Sequence, residues 1–182
     1  GQNDELIIKR VLDAGADGII VPLIKNKEDV ERIVSYVKYP NIGTRGVGLY
    51  RAQKYGTNFH EYRKWLEKNV VIFAQVEHID AVNNLSDILS NENLDGIIVG
   101  PYDLSASLNM PGNFESDEFR SALKIIEETT KNFNKSLGCH VIESNHLGVV
   151  NKIKEGYNFI AFSLDFFFLG DKLRDEVKLL KK

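Results

Sequence analysis

The chain predicts an α/β fold built on a parallel sheet, and three observations carry the prediction. Five short apolar runs, over 17–22, 70–76, 95–99, 137–141 and 158–163, alternate with stretches whose apolar residues fall at helical spacing. Runs such as Val70-Val71-Ile72-Phe73 and Gly96-Ile97-Ile98-Val99 are apolar at consecutive positions, the pattern of strands covered on both faces. Two of the runs end in polar residues that do not belong in a core, Gln75-Val76-Glu77 and Gly100-Pro101-Tyr102-Asp103. The carboxyl ends of parallel strands are where α/β proteins place their chemistry.

The elements follow in order. Asn3 or Asp4 caps a helix over 4–13, which Ala14-Gly15 stops. After strand 17–22, Asn26 caps a helix over 27–38 with Val30, Ile33, Val34 and Val37 as its apolar stripe. The stretch 39–58 is rich in Gly and Arg and reads as a long irregular loop, a length that in compact domains tends to be functional. A helix over 59–68 leads to strand 70–76, and a helix over 79–90 leads to strand 95–99. A loop through Pro111-Gly112 precedes a helix over 116–133. Strand 137–141, a helix over 144–155 stopped by Gly156, strand 158–163 and a last helix over 166–180 complete the chain. This pattern is compatible with an open doubly wound sheet or with part of an eight-stranded barrel, which needs about 250 residues. It contains no Gly-x-Gly-x-x-Gly turn and no Walker A loop, so nucleotide binding has little support.

A chain of 182 residues, 43% hydrophobic and 27% charged, builds one substantial core, and residues 1–182 are read as a single domain. The net charge of −3 argues against nucleic acid as a partner. No apolar run reaches bilayer length and no signal peptide opens the sequence, so the expectation is a cytoplasmic protein without a membrane partner. Cys139 is the single cysteine, which excludes an internal disulfide and a cysteine metal cluster, and it reads as a small core residue. A helix opens the chain with no strand and no methionine before it, which gives the expectation that something upstream is missing.

Glu77 and Asp103 sit at the ends of neighbouring strands. Two carboxylates there suit a hard divalent cation that keeps open positions for substrate oxygens. Each also has an ordinary reading. Glu77 could be an ion-pair partner, Asp103 a turn or helix cap, and Gln75 the partner of a buried backbone group. Asp13, beside Gly15, could be a surface carboxylate at a helix end. Arg45 and Arg51 either bind an anionic substrate tail or a neighbouring subunit, or they pin a Gly-rich loop. His60, His78, His140 and His146 form no metal-spaced pair; His140 faces the right region but reads as a packed or hydrogen-bonded histidine. Phe166-Phe167-Phe168 reads as an interface or core element.

A set of motifs resembles the HpcH/HpaI aldolase family over nearly the whole chain. They are Leu12-Asp13-Ala14-Gly15-Ala16, Val21-Pro22, Tyr39-Pro40, Gly43-Thr44-Arg45-Gly46-Val47-Gly48, Arg51-Ala52 and Gln75-Val76-Glu77 with Ala81-Val82-Asn83-Asn84. Asp95-Gly96, Gly100 through Leu108 and Pro111-Gly112 continue them in order. The resemblance implies a TIM (β/α)8 barrel of the phosphoenolpyruvate/pyruvate type, of which this chain holds strands four to eight. It implies a lyase, a class II aldolase cleaving a 2-oxo-4-hydroxy acid such as a 2-keto-3-deoxy sugar acid to pyruvate and an aldehyde, with Mg²⁺, Mn²⁺ or Co²⁺ as cofactor. By the same resemblance Glu77 and Asp103 hold the metal and Gln75 contacts the keto acid. Backbone N–H groups at Tyr102 and Asp103 hold its carboxylate, and Asp13 supports a catalytic histidine across a subunit boundary. That histidine and an oxyanion-stabilising arginine belong to the first three strands, so this chain alone is expected to lack them. A homo-oligomer, trimer or hexamer, is implied, with the last helix packed on a neighbour. The sequence departs from the family at His78, where threonine is usual, and at Asn109, where glycine is usual. A citrate-lyase-like or citrate-forming enzyme and a non-catalytic barrel fragment are the alternative readings.

Overall fold

A computed structural model of the chain describes residues 4–180. Asn3, the alternative cap of the first helix, lies outside them; Asp4 is the cap observed, accepting the Ile7 backbone N–H at 2.8 Å. That helix is α1 (Glu5–Asp13). Five strands follow, β1 (Gly18–Val21), β2 (Val71–Val76), β3 (Gly96–Val99), β4 (Ser136–Val141) and β5 (Phe159–Phe162). The intervening helices are α2 (Lys27–Val37), α3 (Phe59–Asn69), α4 (Ile79–Asn83), α5 (Leu85–Leu89), α6 (Pro101–Ser107), α7 (Asp117–Asn132) and α8 (His146–Lys154), with α9 (Asp165–Leu180) last. Asn26 caps α2 as its sequence predicts, accepting the Asp29 N–H at 2.8 Å. Ser116 caps α7 in the same way.

All four strand pairs are parallel and the spatial order is β1-β2-β3-β4-β5. This decides between the two closures. A doubly wound sheet reverses its strand order at a switch point, and this sheet never does. It is also curled into a half-barrel. Phe73 of β2 and Phe159 of β5 stack with ring centroids 4.1 Å apart. In a flat sheet those strands, three steps apart, would be about 14 Å distant. The rings meet over Gly96 and Gly138, where an added Cβ would lie 2.7 Å from Phe73 Cε1 and 2.8 Å from Phe159 Cδ1.

The strand periodicity of two sorts residues between the faces. Ile72, Ala74, Val76, Ile97, Val99, Leu137, Cys139 and Val141 join the main hydrophobic core beneath the helices. Phe73, Gln75, Ile98 and His140 fall on the opposite, concave face. An apolar cleft of about 660 Å³ runs between α1, the outer side of β1 and the concave-face pair Phe73 and Phe159. Ile20 lines it and is 43% exposed.

Four expectations change. The predicted helix over 79–90 is two short helices broken at Asn84. The irregular stretch 39–58 contains a 3-10 turn, Arg51–Gly56, in which Lys54 and Tyr55 are left-handed. The predicted loop after β3 holds α6, whose Pro101 is at the first helical turn, where a missing N–H costs nothing. A core role for the Phe166–Phe168 run is not observed. No residue of α9 is buried, and Phe166 is 59% exposed.

Candidate functional site

The alternation of β2 carries Gln75 and Glu77 onto the concave face at the carboxyl end of the sheet. Glu77 is buried, and both of its carboxylate oxygens are held. The Leu23 backbone N–H donates to Oε1 at 2.7 Å, and Gln75 Nε2 donates to Oε2. Leu23 reaches this position with φ of 58°, a left-handed conformation that leucine rarely adopts. Gly100 closes the next strand against the pair. A Cβ there would lie 2.8 Å from Glu77 Cβ, 3.1 Å from Glu77 Oε2 and 3.2 Å from Gln75 Nε2. Absence of a side chain at 100 is therefore a condition of the arrangement.

Asp103 and Tyr102 stand in the first turn of α6, directly after Gly100, and both are exposed. Two serines fix that helix. Ser107 Oγ accepts the Ile79 N–H at 3.0 Å, two residues past Glu77, and Ser105 Oγ accepts the Gly112 N–H at 2.9 Å. Tyr102 packs edge-on against Phe114 at 5.0 Å. The structure thus gathers Gln75, Glu77, Tyr102 and Asp103 at one end of β2 and β3.

The electrostatics there are unusual. Among the described residues neither Glu77 nor Asp103 has an ion-pair partner, and Asp103 makes no side-chain hydrogen bond. A buried carboxylate ordinarily needs a cation. The donors are all oxygen, which suits a hard cation such as Mg²⁺ or Mn²⁺. No group of three or more His, Cys, Asp or Glu side chains with metal-holding geometry exists among the described residues. The two carboxylates would therefore leave most coordination positions to water or substrate, and the residues present fit such an ion.

Asp13 lies elsewhere. It ends α1 just before β1, at the amino end of the sheet, and is 3% exposed. Arg45 Nη2 donates to its Oδ1 at 2.6 Å, Gln53 Nε2 donates to the same oxygen at 3.2 Å, and Lys9 Nζ pairs with Oδ2. Burial alone would raise the Asp13 pKa, but the bonds from Lys9, Arg45 and Gln53 outweigh it and hold the carboxyl below its ordinary range. The surface-carboxylate reading of Asp13 is thereby corrected. Arg45 is itself fully buried, 4.8 Å from the Tyr39 ring centroid and within 3.3 Å of the Tyr62 hydroxyl. Burial opposes its charge, while the Asp13 carboxylate and the Tyr62 hydroxyl favour it and raise its pKa. Of the two readings of Arg45, pinning the Gly-rich loop is the one observed. Arg51 is exposed, its stem beside Gly15.

The two departures from the family pattern have local causes. His78 caps α4, its Nδ1 accepting the Asp80 N–H at 3.1 Å, the task a threonine hydroxyl performs. Asn109 has φ of 62°, a conformation in which glycine is unstrained and asparagine is among the best-tolerated alternatives. Sequence reasoning missed Leu23, Ser105 and Ser107. A leucine in a left-handed conformation leaves no sequence signal, whereas the Ser-x-Ser spacing two residues past Asp103 could have been read as a helix-fixing pair.

Comparison with known proteins agrees with this fold. At the sequence level, 2-keto-3-deoxy-L-rhamnonate aldolase of Escherichia coli K12 is 30% identical over 177 residues, covering 96% of this chain and 65% of its own length. The chain thus spans about 65% of the length of the curated relatives it matches. Among solved structures, an HpcH/HpaI aldolase/citrate lyase family protein from Burkholderia cenocepacia superposes with a TM-score of 0.91 at 25% identity, over 99% of this chain and 71% of that one. The citrate synthase SbnG superposes with a TM-score of 0.79 at 26% identity, over 96% of this chain and 66% of that one. The sequence pattern of one family runs through residues 1–169, taking in β1 to β5 together with Glu77, Gly100 and Asp103, and the chain belongs to that family, the HpcH/HpaI aldolases and citrate lyases.

Proposed function

We propose that the protein is a divalent-metal-dependent aldolase that cleaves a 2-oxo-4-hydroxy acid to pyruvate and an aldehyde. The observation that carries this reading is the buried Glu77 carboxylate, held by Leu23 and Gln75, with no cation paired to it among the described residues. Glu77 and Asp103 would hold the ion, Mg²⁺, Mn²⁺ or Co²⁺. When bound, such an ion supplies Lewis-acid polarisation of the 2-oxo group and offsets the charge that develops there as the C3–C4 bond breaks. Gln75 uses one amide N–H on Glu77, leaving the other N–H and its carbonyl for the keto acid. The Tyr102 and Asp103 backbone N–H groups, in the first turn of α6 and without intrahelical acceptors, hold the substrate carboxylate.

The five strands are proposed as the fourth to eighth of a (β/α)8 barrel. Their unreversed order, the curl of the sheet and the apolar cleft along β1 support this. In that barrel the first three strands supply the histidine that takes the C4 hydroxyl proton and the arginine that stabilises the developing oxyanion. Asp13 supports the histidine of a neighbouring subunit, and its network with Arg45 fixes where its carboxylate is offered. A homo-oligomer, trimer or hexamer, is consistent with the exposed apolar residues of α9, Phe166, Leu169, Leu173 and Leu180. The likeness to a citrate synthase favours one second reading, a citrate-forming or citrate-lyase-like enzyme on the same site.

The deciding experiment uses the full-length protein with 2-keto-3-deoxy sugar acids. Pyruvate release that needs Mg²⁺ or Mn²⁺, stops with EDTA and is lost in Glu77→Ala is the expected result. A folded, metal-loaded protein that releases no pyruvate but condenses oxaloacetate with an acyl donor would transfer the assignment to the citrate-type reading.

A further inference from the structure

The concave face carries one more polar side chain at the level of Glu77. Val76 is in register with Val99, and Val99 with Cys139. One residue further along, Glu77, Gly100 and His140 therefore share a row, and His140 is in register with Ala161 of β5. Leu137, Cys139 and Val141 belong to the core beneath the helices, so His140 stands on the other, concave face with Gln75 and Glu77. Gly100 lies between Glu77 and His140 and contributes no side chain. The Cα atoms of Glu77 and His140 are two strand spacings apart, about 10 Å, room for a three-carbon acid between their side chains.

The hydrogen bonding of His140 decides what it can offer. The ring is half-buried, and Nε2 lies 3.4 Å from the Ser163 carbonyl oxygen. A carbonyl only accepts, so Nε2 carries the proton and, in the neutral ring, Nδ1 is an acceptor. Nδ1 has no partner among the described residues. The next hydroxyl along the face, that of Ser163, is already donated to the Ile142 carbonyl at 2.7 Å. An apolar side chain would be the apt neighbour for a bare methyl group. An imidazole acceptor left without a partner on the concave face suits a hydroxyl donor and opposes a carboxylate.

We propose that His140 is a specificity-determining residue that accepts a hydrogen bond from a hydroxyl on C3 of the bound 2-oxo acid. The site then takes a 3-hydroxy-2-oxo acid of the hydroxypyruvate type as well as pyruvate, and holds it the more tightly. This rests on the aldolase reading, in which Glu77 and Asp103 would hold the ion and the first turn of α6 the substrate carboxylate, on the β2–β3 side, while His140 stands on β4.

The test measures equilibrium binding of hydroxypyruvate, pyruvate and oxaloacetate to the full-length, Mn²⁺-loaded protein by calorimetry, in wild type, His140→Leu and His140→Gln. The wild type should bind hydroxypyruvate roughly tenfold more tightly than pyruvate, the worth of one good hydrogen bond. His140→Leu should erase that advantage and leave pyruvate binding within about twofold, while His140→Gln, which keeps an acceptor, should retain most of it. Equal binding of the two acids in wild type, tighter binding of oxaloacetate, or a His140→Leu that weakens both acids alike would overturn the proposal while leaving the aldolase reading intact. Absence of metal-dependent binding of any 2-oxo acid would instead remove the aldolase reading, and this proposal with it. If His140→Leu does not fold, the ¹⁵N resonance of His140 Nδ1 in wild type gives the same answer. It should move with hydroxypyruvate and stay with pyruvate; no difference between the two overturns the proposal.

Discussion

Replacing Glu77 with glutamine separates a metal-holding carboxylate from a structural one, because the two roles predict opposite balances of stability. Without metal, Glu77→Gln removes a charge that is 5% exposed and has no cation paired to it among the described residues, so it relieves a desolvation cost of several kcal/mol. Against this it weakens the Leu23 hydrogen bond, from about 1.5–3 to about 0.5–1.5 kcal/mol. An amide has one acceptor oxygen, so the second bond persists, at a similar loss, only with the Gln75 amide turned over so that its carbonyl accepts from the new NH2. The two terms are of similar size, and the variant in EDTA should lie within about 1 kcal/mol of wild type. With metal at about 100 times the wild-type dissociation constant, the wild type gains about 2.7 kcal/mol. A variant whose affinity has fallen about 100-fold gains only about 0.4 kcal/mol at the same concentration. The expected difference of about 2 kcal/mol amounts to roughly 4–8 °C in melting temperature for a chain of this size. Thermal melts of the full-length protein in EDTA and in Mn²⁺ measure both halves. An undiminished metal-induced shift in Glu77→Gln would refute the assignment. A variant several kcal/mol less stable in EDTA would show instead that the carboxylate serves packing.

Arg45→Met should destabilise the fold by about 3–5 kcal/mol in urea unfolding, because Asp13 is left buried with only Lys9 and Gln53. Combining it with Asp13→Leu should recover most of that loss, so additive single and double variants would contradict the buried pair. Asp13, held below the ordinary carboxylate pKa, contributes stability that is fully present above that range and is lost as pH falls through the folded-state value. Asp13→Asn should therefore flatten the acid limb of the stability profile below about pH 4; an unchanged limb counts against the network. Gly100→Ala, whose methyl group must displace Glu77 or Gln75, should cost about 1–3 kcal/mol in stability and weaken Mn²⁺ binding at least tenfold, read by calorimetry.

The order of strands and helices was legible because each is specified locally. Consecutive apolar residues mark a strand covered on both sides, and Asp4 and Asn26 are caps whose side chains act within three residues of themselves. Local signals also misled. The seven residues of α6 behind a proline resembled a loop, and the single pattern over 79–90 hid the break at Asn84. Arg45 could not be assigned from its neighbours in sequence, because its burial depends on Asp13, Tyr39 and Tyr62 arriving from three other segments.

The sequence by itself determined that the chain is α/β with a parallel sheet, and it singled out Gln75, Glu77, Tyr102 and Asp103, since strand ends and short motifs are written in adjacent residues. Only the tertiary structure decided that the sheet curls without reversing, that Leu23 and Gly100 shape the seat of Glu77, and that His140 shares its row. Those facts depend on register between strands dozens of residues apart. A one-residue slip, invisible in the sequence, would turn His140 into the core and Cys139 toward the site.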